Sequence, residues 1–253
     1  MPRTLERARL VAKLLLSEQA QCFHLTFTVP GKDRFDFAAG QFVSMVAPDA
    51  QGKIHTRAYS IASAPRENQF DLCLNRVEGG FFSNLLCDLE PGQTVDFHGP
   101  HGLFVLKEPL IDALLIATGT GVAPMRGFIE HLFPDAEQDR SGGRHFWLLY
   151  GTRHEPDIYY RRYFEKKAAE HPNFHYLPTL SRPHNGWEGL CGYVQTHVLR
   201  ILERGMEVVG GEPREPVPQA AYICGLNDMV SANRELLTGR GWDKTQIHFE
   251  RYD

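Results

Sequence analysis

Long apolar runs are missing from this chain of 253 residues, and none approaches the roughly 20 residues that cross a bilayer. Leu14 to Leu16 is too short, and its flanks too polar, for the core of a signal peptide. Cysteine is sparse: Cys22, Cys73, Cys87, Cys191 and Cys224 stand far apart, none in a C-x-x-C or C-x4-C spacing. That excludes a written iron–sulfur or zinc cradle, and the odd count argues against a disulfide framework. His98 and His101 form an H-x-x-H with no legible third ligand, so no metal is expected. Positive charge is not in excess either; the formal net charge is −4, which leaves no overall basic field for nucleic acid. No internal repeat is present. The expectation left by these absences is a cytoplasmic protein that binds neither membrane nor nucleic acid; a monomer is expected besides, though nothing in these absences fixes the oligomeric state.

What is present describes an ordinary globular protein, 42% apolar and 23% charged, long enough for two domains. Sixteen Phe and nine Tyr are more rings than a plain core needs, which fits flat ligands. The first part of the chain reads as short strands. Ala8 to Leu16 can be drawn as an amphipathic helix or a strand; the clean period-two alternation of Cys22 to Val29 beyond it favours a hairpin. Strands follow at Gln41 to Val46, Ala58 to Ala62, Phe70 to Val77 and Thr94 to His98, separated by Pro, Gly, Asn or Asp. That pattern predicts an antiparallel barrel or sandwich.

After Gly102 strands alternate with helices. Strands are predicted at 113–117, 145–150, 174–177, 221–224 and 246–249, and helices at 124–133, 157–170, 194–202 and 228–237. This is the β-α-β rhythm of an open parallel sheet. The domain boundary is placed at 107/108, giving domains 1–107 and 108–253, with Gly/Pro-rich surface loops at 138–143 and 205–219. Arg161 to Lys167 reads as the solvated face of a helix, with docking of an acidic partner as the alternative.

The most informative stretch is Ala113 to Phe128. A continuous apolar run ends in Thr118-Gly119-Thr120-Gly121-Val122-Ala123-Pro124, and Met125, Phe128, Ile129, Leu132 and Phe133 then mark one helical face. A helix N-terminus after such a turn offers free backbone donors and a positive dipole end to a phosphate. The pattern is G-x-G-x-x-P, without the third glycine of the usual dinucleotide turn. In the strand region, Arg57-Ala58-Tyr59-Ser60 can neutralise a phosphate, stack a ring and donate a hydrogen bond within one strand length. Downstream, Gly79-Gly80-Phe81-Phe82-Ser83 combines glycines that let backbone approach a ligand with a Ser predicted to cap a short helix through Leu86. Gly99 to Phe104 is predicted to be a rigid turn leaving the barrel.

In this order and spacing, R-x-Y-S, G-G-x-x-S, G-P-x-G-x-F and G-T-G-x-A-P resemble the ferredoxin–NADP reductase family, from about Val11 to Asp253. The resemblance implies an N-terminal antiparallel six-stranded FAD-binding barrel, a C-terminal parallel-sheet NADP-binding domain, and a flavin between them. It assigns Arg57, Ala58, Tyr59 and Ser60 to the flavin strand, Gly80, Phe81, Phe82 and Ser83 to the flavin pyrophosphate loop, and Thr118 to Pro124 to the nicotinamide nucleotide. Cys224-Gly225 matches the family's C-G beside the nicotinamide, and Glu250-Arg-Tyr252 its E-x-Y ending, where an aromatic ring covers the flavin. Asp253 is one residue more than that ending. Ser60, Cys224, Glu250 and Tyr252 are thereby the expected catalytic group. Ser181 and Arg182 fall where the 2′-phosphate of NADP is held, with Tyr193 to stack or bond and Arg153 as a second cation; an NAD site would more often carry Asp or Glu there. The implied activity is hydride transfer from NADPH to FAD, followed by single electrons to ferredoxin or flavodoxin. An oxygenase reductase, a quinone-reducing diaphorase and a non-enzymatic flavin-binding module are the alternatives.

Overall fold

The computed structural model describes residues 4–205, 208–209, 212–213 and 216–252. Arg3 and Asp253, and parts of the loop expected at 205–219, lie outside the described residues. The chain divides into two compact units: one runs to Leu106 and takes in Arg126–His131, and the other takes the remainder.

The first unit contains β1 (Glu6–Ser17), β2 (Cys22–Thr28), β3 (Phe42–Pro48), β4 (Ile54–Ser60), β5 (Gln69–Asn75), α1 (Phe81–Asp88) and β6 (Thr94–His101). Every strand pair is antiparallel, in the order β4-β3-β6-β1-β2-β5. A bridge between Ile61 and Leu72 links the chain just past β4 to β5, joining the two edges into a barrel. Period-two alternation turns Leu25 and Phe27 of β2, and Phe70 and Leu72 of β5, into a core with Phe35 and Phe97. Phe27 stacks on Phe70 at 5.5 Å, and Phe35 meets Phe97 edge-on at 5.6 Å. Each such fully buried ring contributes about 1.5–3 kcal/mol relative to exposure.

The opposite face of β5 is buried too, and with half-buried His24 of β2 it carries charge. Asp71, with its side chain 1% exposed, receives Arg66 at 2.5 Å, Arg126 at 3.2 Å and His24 at 3.5 Å. Glu130 completes the cluster, within 3.4 Å of Arg66 and 3.6 Å of Arg126, and accepts the Ala64 N–H. Burial pushes the His24 imidazole down to about 4, the two guanidinium groups push the same way, and Asp71 opposes them.

The second unit contains β7 (Ala113–Thr118), α2 (Val122–Leu132), β8 (Phe146–Thr152), α3 (Arg161–Glu170), β9 (Phe174–Leu180), β10 (Leu190–Cys191), α4 (Val194–Gly205), the short pair β11 (Val208–Val209) and β12 (Glu212–Pro213), β13 (Ala220–Leu226), α5 (Asn227–Gly239) and β14 (Ile247–Tyr252). Residues Arg126–His131 of α2 group with the first unit. The six-stranded sheet is wholly parallel, in the order β10-β9-β8-β7-β13-β14. Residues 113–117 of β7 are essentially inaccessible, as an apolar run covered on both faces requires.

Several local expectations are corrected. The strand expected at Ala58 to Ala62 runs instead from Ile54 to Ser60, because a strand at the end of the sheet order can leave Ile54, Thr56, Arg57 and Ala58 exposed. Gly99 and Pro100 are no turn: β6 continues through them to His101, opposite Phe42. The helix expected from Asp157 begins at Arg161, because Ile158 and Tyr159 turn inward and Tyr160 has φ +58, which no right-handed helix passes through. Lys167 is not on a solvated face; it is buried and donates to the Pro134 carbonyl at 3.1 Å. The two-residue β10 was too short to be read from periodicity.

Candidate active site

In the second unit the chain leaves β7 for β8, β9 and β10 on one side, then returns to β13 on the other. The exits of β7 and β13 therefore diverge, the topological switch point where open parallel sheets take ligands. At this point Gly119–Gly121 form a single 3-10 turn that runs into α2. The two glycines differ in role. A Cβ on Gly121 would lie 2.2 Å from the Cys224 carbonyl oxygen, so its bareness serves strand packing. Gly119, at φ +53, has nothing within 4 Å of a Cβ, so its bareness leaves an open approach to backbone. Gly225 is equally constrained, since its Cβ would lie 2.4 Å from Thr118 Oγ1. That hydroxyl is buried without a hydrogen-bond partner among the described residues. Val122, Ala123 and Pro124 are buried in the first turn of α2, while Thr120 is half-exposed. Tyr150, inside the apolar run of β8, props the turn by donating to the Gly119 carbonyl at 3.1 Å. Nothing in the sequence distinguishes this Tyr from core filler.

The next exits along the edge carry the charged candidates. Gly151 lies level with Thr118 on one side and Thr179 on the other. Beyond the strands, the Ser181 N–H donates to the Thr152 carbonyl at 3.0 Å and the Arg182 N–H to the Arg153 carbonyl at 2.9 Å. Arg153 and Arg182 are exposed, and neither forms an ion pair among the described residues. Tyr193, 71% exposed, follows β10. Two exposed cations and an exposed ring beside a glycine turn fit an anionic nucleotide.

On the other side of the switch point, the β13–β14 ladder sets Cys224 opposite Glu250 and Leu226 opposite Tyr252. Tyr252 and Glu250 both lie close enough to Cys224 to act on its thiol. Burial raises the thiol's pKa well above the ordinary value, Glu250 adds to that, and the Tyr252 contact opposes it. Cys224 thus stays a protonated, fully buried thiol, suited to shape and contact rather than nucleophilic attack.

In the first unit, β4 ends with Arg57 and Ala58 exposed, Tyr59 half-buried against the core, and Ser60 buried. Burial raises Tyr59 to about 12, with Cys87 of α1 nearby. The His55 ring lies 5.0 Å from that of Phe81, which brings β4 to the start of α1. The sequence reading missed His55, whose imidazole is also 2.7 Å from Asp49. Gly79 holds φ +69 in open space, and Gly80 is the residue before the helix. Phe82 is buried and edge-on to Phe81 at 5.0 Å. Ser83 is not the cap: it is the third residue of α1, and its Oγ accepts the Val77 N–H at 3.1 Å, fastening the glycine loop from inside. An exposed Arg, a phenol and a glycine loop at a helix start fit a phosphate-bearing ring cofactor.

A barrel with such a strand and loop, followed in the chain by a parallel sheet with a glycine turn at its switch point, defines a flavin- and nicotinamide-nucleotide-dependent oxidoreductase. Family models agree: residues 7–106 match the oxidoreductase FAD-binding domain and 115–235 the oxidoreductase NAD-binding domain. The chain is 42% identical over 250 residues to ferredoxin–NADP reductase B of Sorangium cellulosum, covering 97% of each protein. It is 32% identical over 223 residues to the phenol hydroxylase P5 protein of Acinetobacter pittii, covering 86% of this chain and 58% of that protein. The cytochrome b5 reductase domain of Ulva prolifera nitrate reductase has the same fold, with a TM-score of 0.80 at 24% identity over 99% of this chain and 98% of that one. The chain belongs to the ferredoxin–NADP reductase family.

Proposed function

We propose that this protein is an FAD-dependent reductase that exchanges a hydride with NADPH and single electrons with a ferredoxin. The observation that carries the reading is the glycine turn at the switch point, flanked by exposed Arg153 and Arg182 on one side and by Cys224, Glu250 and Tyr252 on the other. FAD, when bound, supplies the conversion of a hydride into two single electrons. The chain's residues bind and orient. In a domain 1–107, Arg57 and Gly80 to Ser83 hold the flavin's phosphates, Tyr59 its ring, and Ser60 its reactive edge. In a domain 108–253, Thr118 to Pro124 receive the pyrophosphate, while Ser181, Arg182, Arg153 and Tyr193 receive the 2′-phosphate and adenine. Cys224 fits the nicotinamide, Glu250 holds a proton near the transfer, and Tyr252 covers the flavin until nicotinamide displaces it. Flavodoxin as an alternative acceptor, a monomeric state and a cytoplasmic location belong to the same reading. Among the described residues no helix is long and apolar enough to cross a membrane.

The similarity to the phenol hydroxylase P5 protein supports a second reading, a reductase that feeds an oxygenase. The test is anaerobic mixing of the flavin-loaded protein with NADPH or NADH, then titration with ferredoxins, flavodoxins and small quinones. The proposal expects NADPH to bleach the flavin faster than NADH and a ferredoxin to reoxidise it. Absence of bleaching would refute enzymatic function, and reoxidation by quinone alone would refute the ferredoxin assignment.

A further inference from the structure

We propose that Glu155 is a positioning residue for nucleotide selectivity: its carboxylate clamps the loop that carries Arg182. This rests on reading Arg182 as a 2′-phosphate ligand. The loop from Ser181 to Gly189 leaves β9 without regular structure, and its last backbone bonds to the neighbouring exit are those of Ser181 and Arg182. Side chains hold the remainder of the loop. His154 Nδ1 lies 3.2 Å from the Arg182 carbonyl, and His184 Nε2 lies 2.5 Å from Glu155 Oε2. The other oxygen of the same carboxylate takes Arg161 Nη1 at 2.5 Å, and the Arg161 Nε pairs with Glu165 at 2.7 Å. The Arg161 guanidinium also stands over the Trp187 ring at 5.5 Å, while Trp187 Nε1 donates to the Leu190 carbonyl at 3.0 Å. One carboxylate thus fastens the loop near its middle through His184 and near its end through Arg161 and Trp187.

NADH lacks the 2′-phosphate and gains nothing from a fixed Arg182. The clamp therefore acts on selectivity more than on turnover.

The experiment measures kcat/KM for NADPH and NADH with the flavin-loaded full chain as parent, Glu155→Gln, Arg182→Ala and the double variant. The proposal expects Glu155→Gln to lower the NADPH:NADH ratio about two- to fivefold, the range an exposed ion-pair network supports. In the Arg182→Ala background Glu155→Gln is expected to add nothing, because the loop then carries no ligand to position. If Arg182→Ala itself leaves the ratio unchanged, the 2′-phosphate reading falls and the clamp with it. If Arg182→Ala lowers the ratio but Glu155→Gln does not, the clamp alone is overturned. An equal fall in both backgrounds also overturns it, since Glu155 would then act elsewhere. Should Glu155→Gln not fold, His184→Asn breaks the same clamp from its 57% exposed side and is read identically.

Discussion

The two glycines of the nucleotide turn give opposite predictions, and comparing them tests the account of the switch point. In Gly121→Ala the new methyl would lie 2.2 Å from the Cys224 oxygen, 2.6 Å from its carbonyl carbon and 2.9 Å from Gly225 Cα. All three are backbone atoms of β13, which pairs with both β7 and β14 and has no flexible end to swing away. Overpacking of this kind costs about 1–3 kcal/mol, and with only a central strand to displace we expect about 3 kcal/mol. For a chain of this length that lowers the melting temperature by roughly 6–12 °C. In Gly119→Ala the methyl meets nothing within 4 Å, so the cost is the left-handed backbone alone, about 1–2 kcal/mol. On the proposed reading the same methyl stands in the path of the phosphate, and losing a charge-assisted hydrogen bond there is expected to raise KM for NADPH about tenfold or more. The assay is thermal unfolding by circular dichroism of both variants without nucleotide, with KM for NADPH measured well below either transition. A Gly121→Ala protein melting within about 2 °C of the parent would refute the packing argument. A Gly119→Ala protein with unchanged KM would refute the phosphate approach.

Three further outcomes are expected. His24 in the folded protein titrates near 4, below its ordinary 6.5, so its contribution is complete above pH 6.5 and is lost as pH falls toward 4; it amounts to about 3 kcal/mol. Denaturant unfolding of His24→Gln should accordingly lose less stability on acidification than the parent, and equal losses would count against it. Asp71→Asn leaves Arg66 and Arg126 facing a neutral amide in a buried site and should cost about 3–5 kcal/mol, read from the urea midpoint; a shift under about 1 kcal/mol would mean the cluster is solvated. Tyr252→Ser should tighten binding of the nicotinamide half, because a competing ring is removed; an unchanged Kd with the flavin retained would show that the ring does not compete.

Period-two alternation in β2 and the apolar run of β7 were readable because each element is dictated by burial of its own side chains. The glycine turn and the Arg57 strand were likewise readable from residue type and order, whereas the Cys224-Gly225 pair was marked only by the family resemblance. The features that escaped the sequence depend on partners far along the chain. Asp71 on the outer face of β5 looks like a solvated strand residue until Arg66, Arg126 and His24 converge on it. Tyr150 looks like core until its hydroxyl meets the Gly119 carbonyl. Ser83 has the residue type of a cap, yet its hydrogen bond goes backward to Val77. Arg161 was grouped with a charged helix face, where it does pair with Glu165, but it also holds a carboxylate six residues earlier and the ring of Trp187.

The ladder that sets Cys224 opposite Glu250 also governs which changes of length this part of the chain tolerates. Along β14 alternate residues face opposite ways: Glu250 and Tyr252 toward Cys224, and Phe249 toward α5, where Arg234 lies 3.9 Å above its ring. Inserting one residue at the start of the strand would exchange the two sets, presenting a phenyl ring and a guanidinium where a carboxylate and a phenol now stand. The connection at 240–246 precedes the ladder, and its end is held by the Asp243–Gln246 capping box and by a Gln246 bond to the Gln219 carbonyl. Insertions there leave the alternation intact, so relatives can differ in length before Ile247 and keep the same chemistry, but not after it.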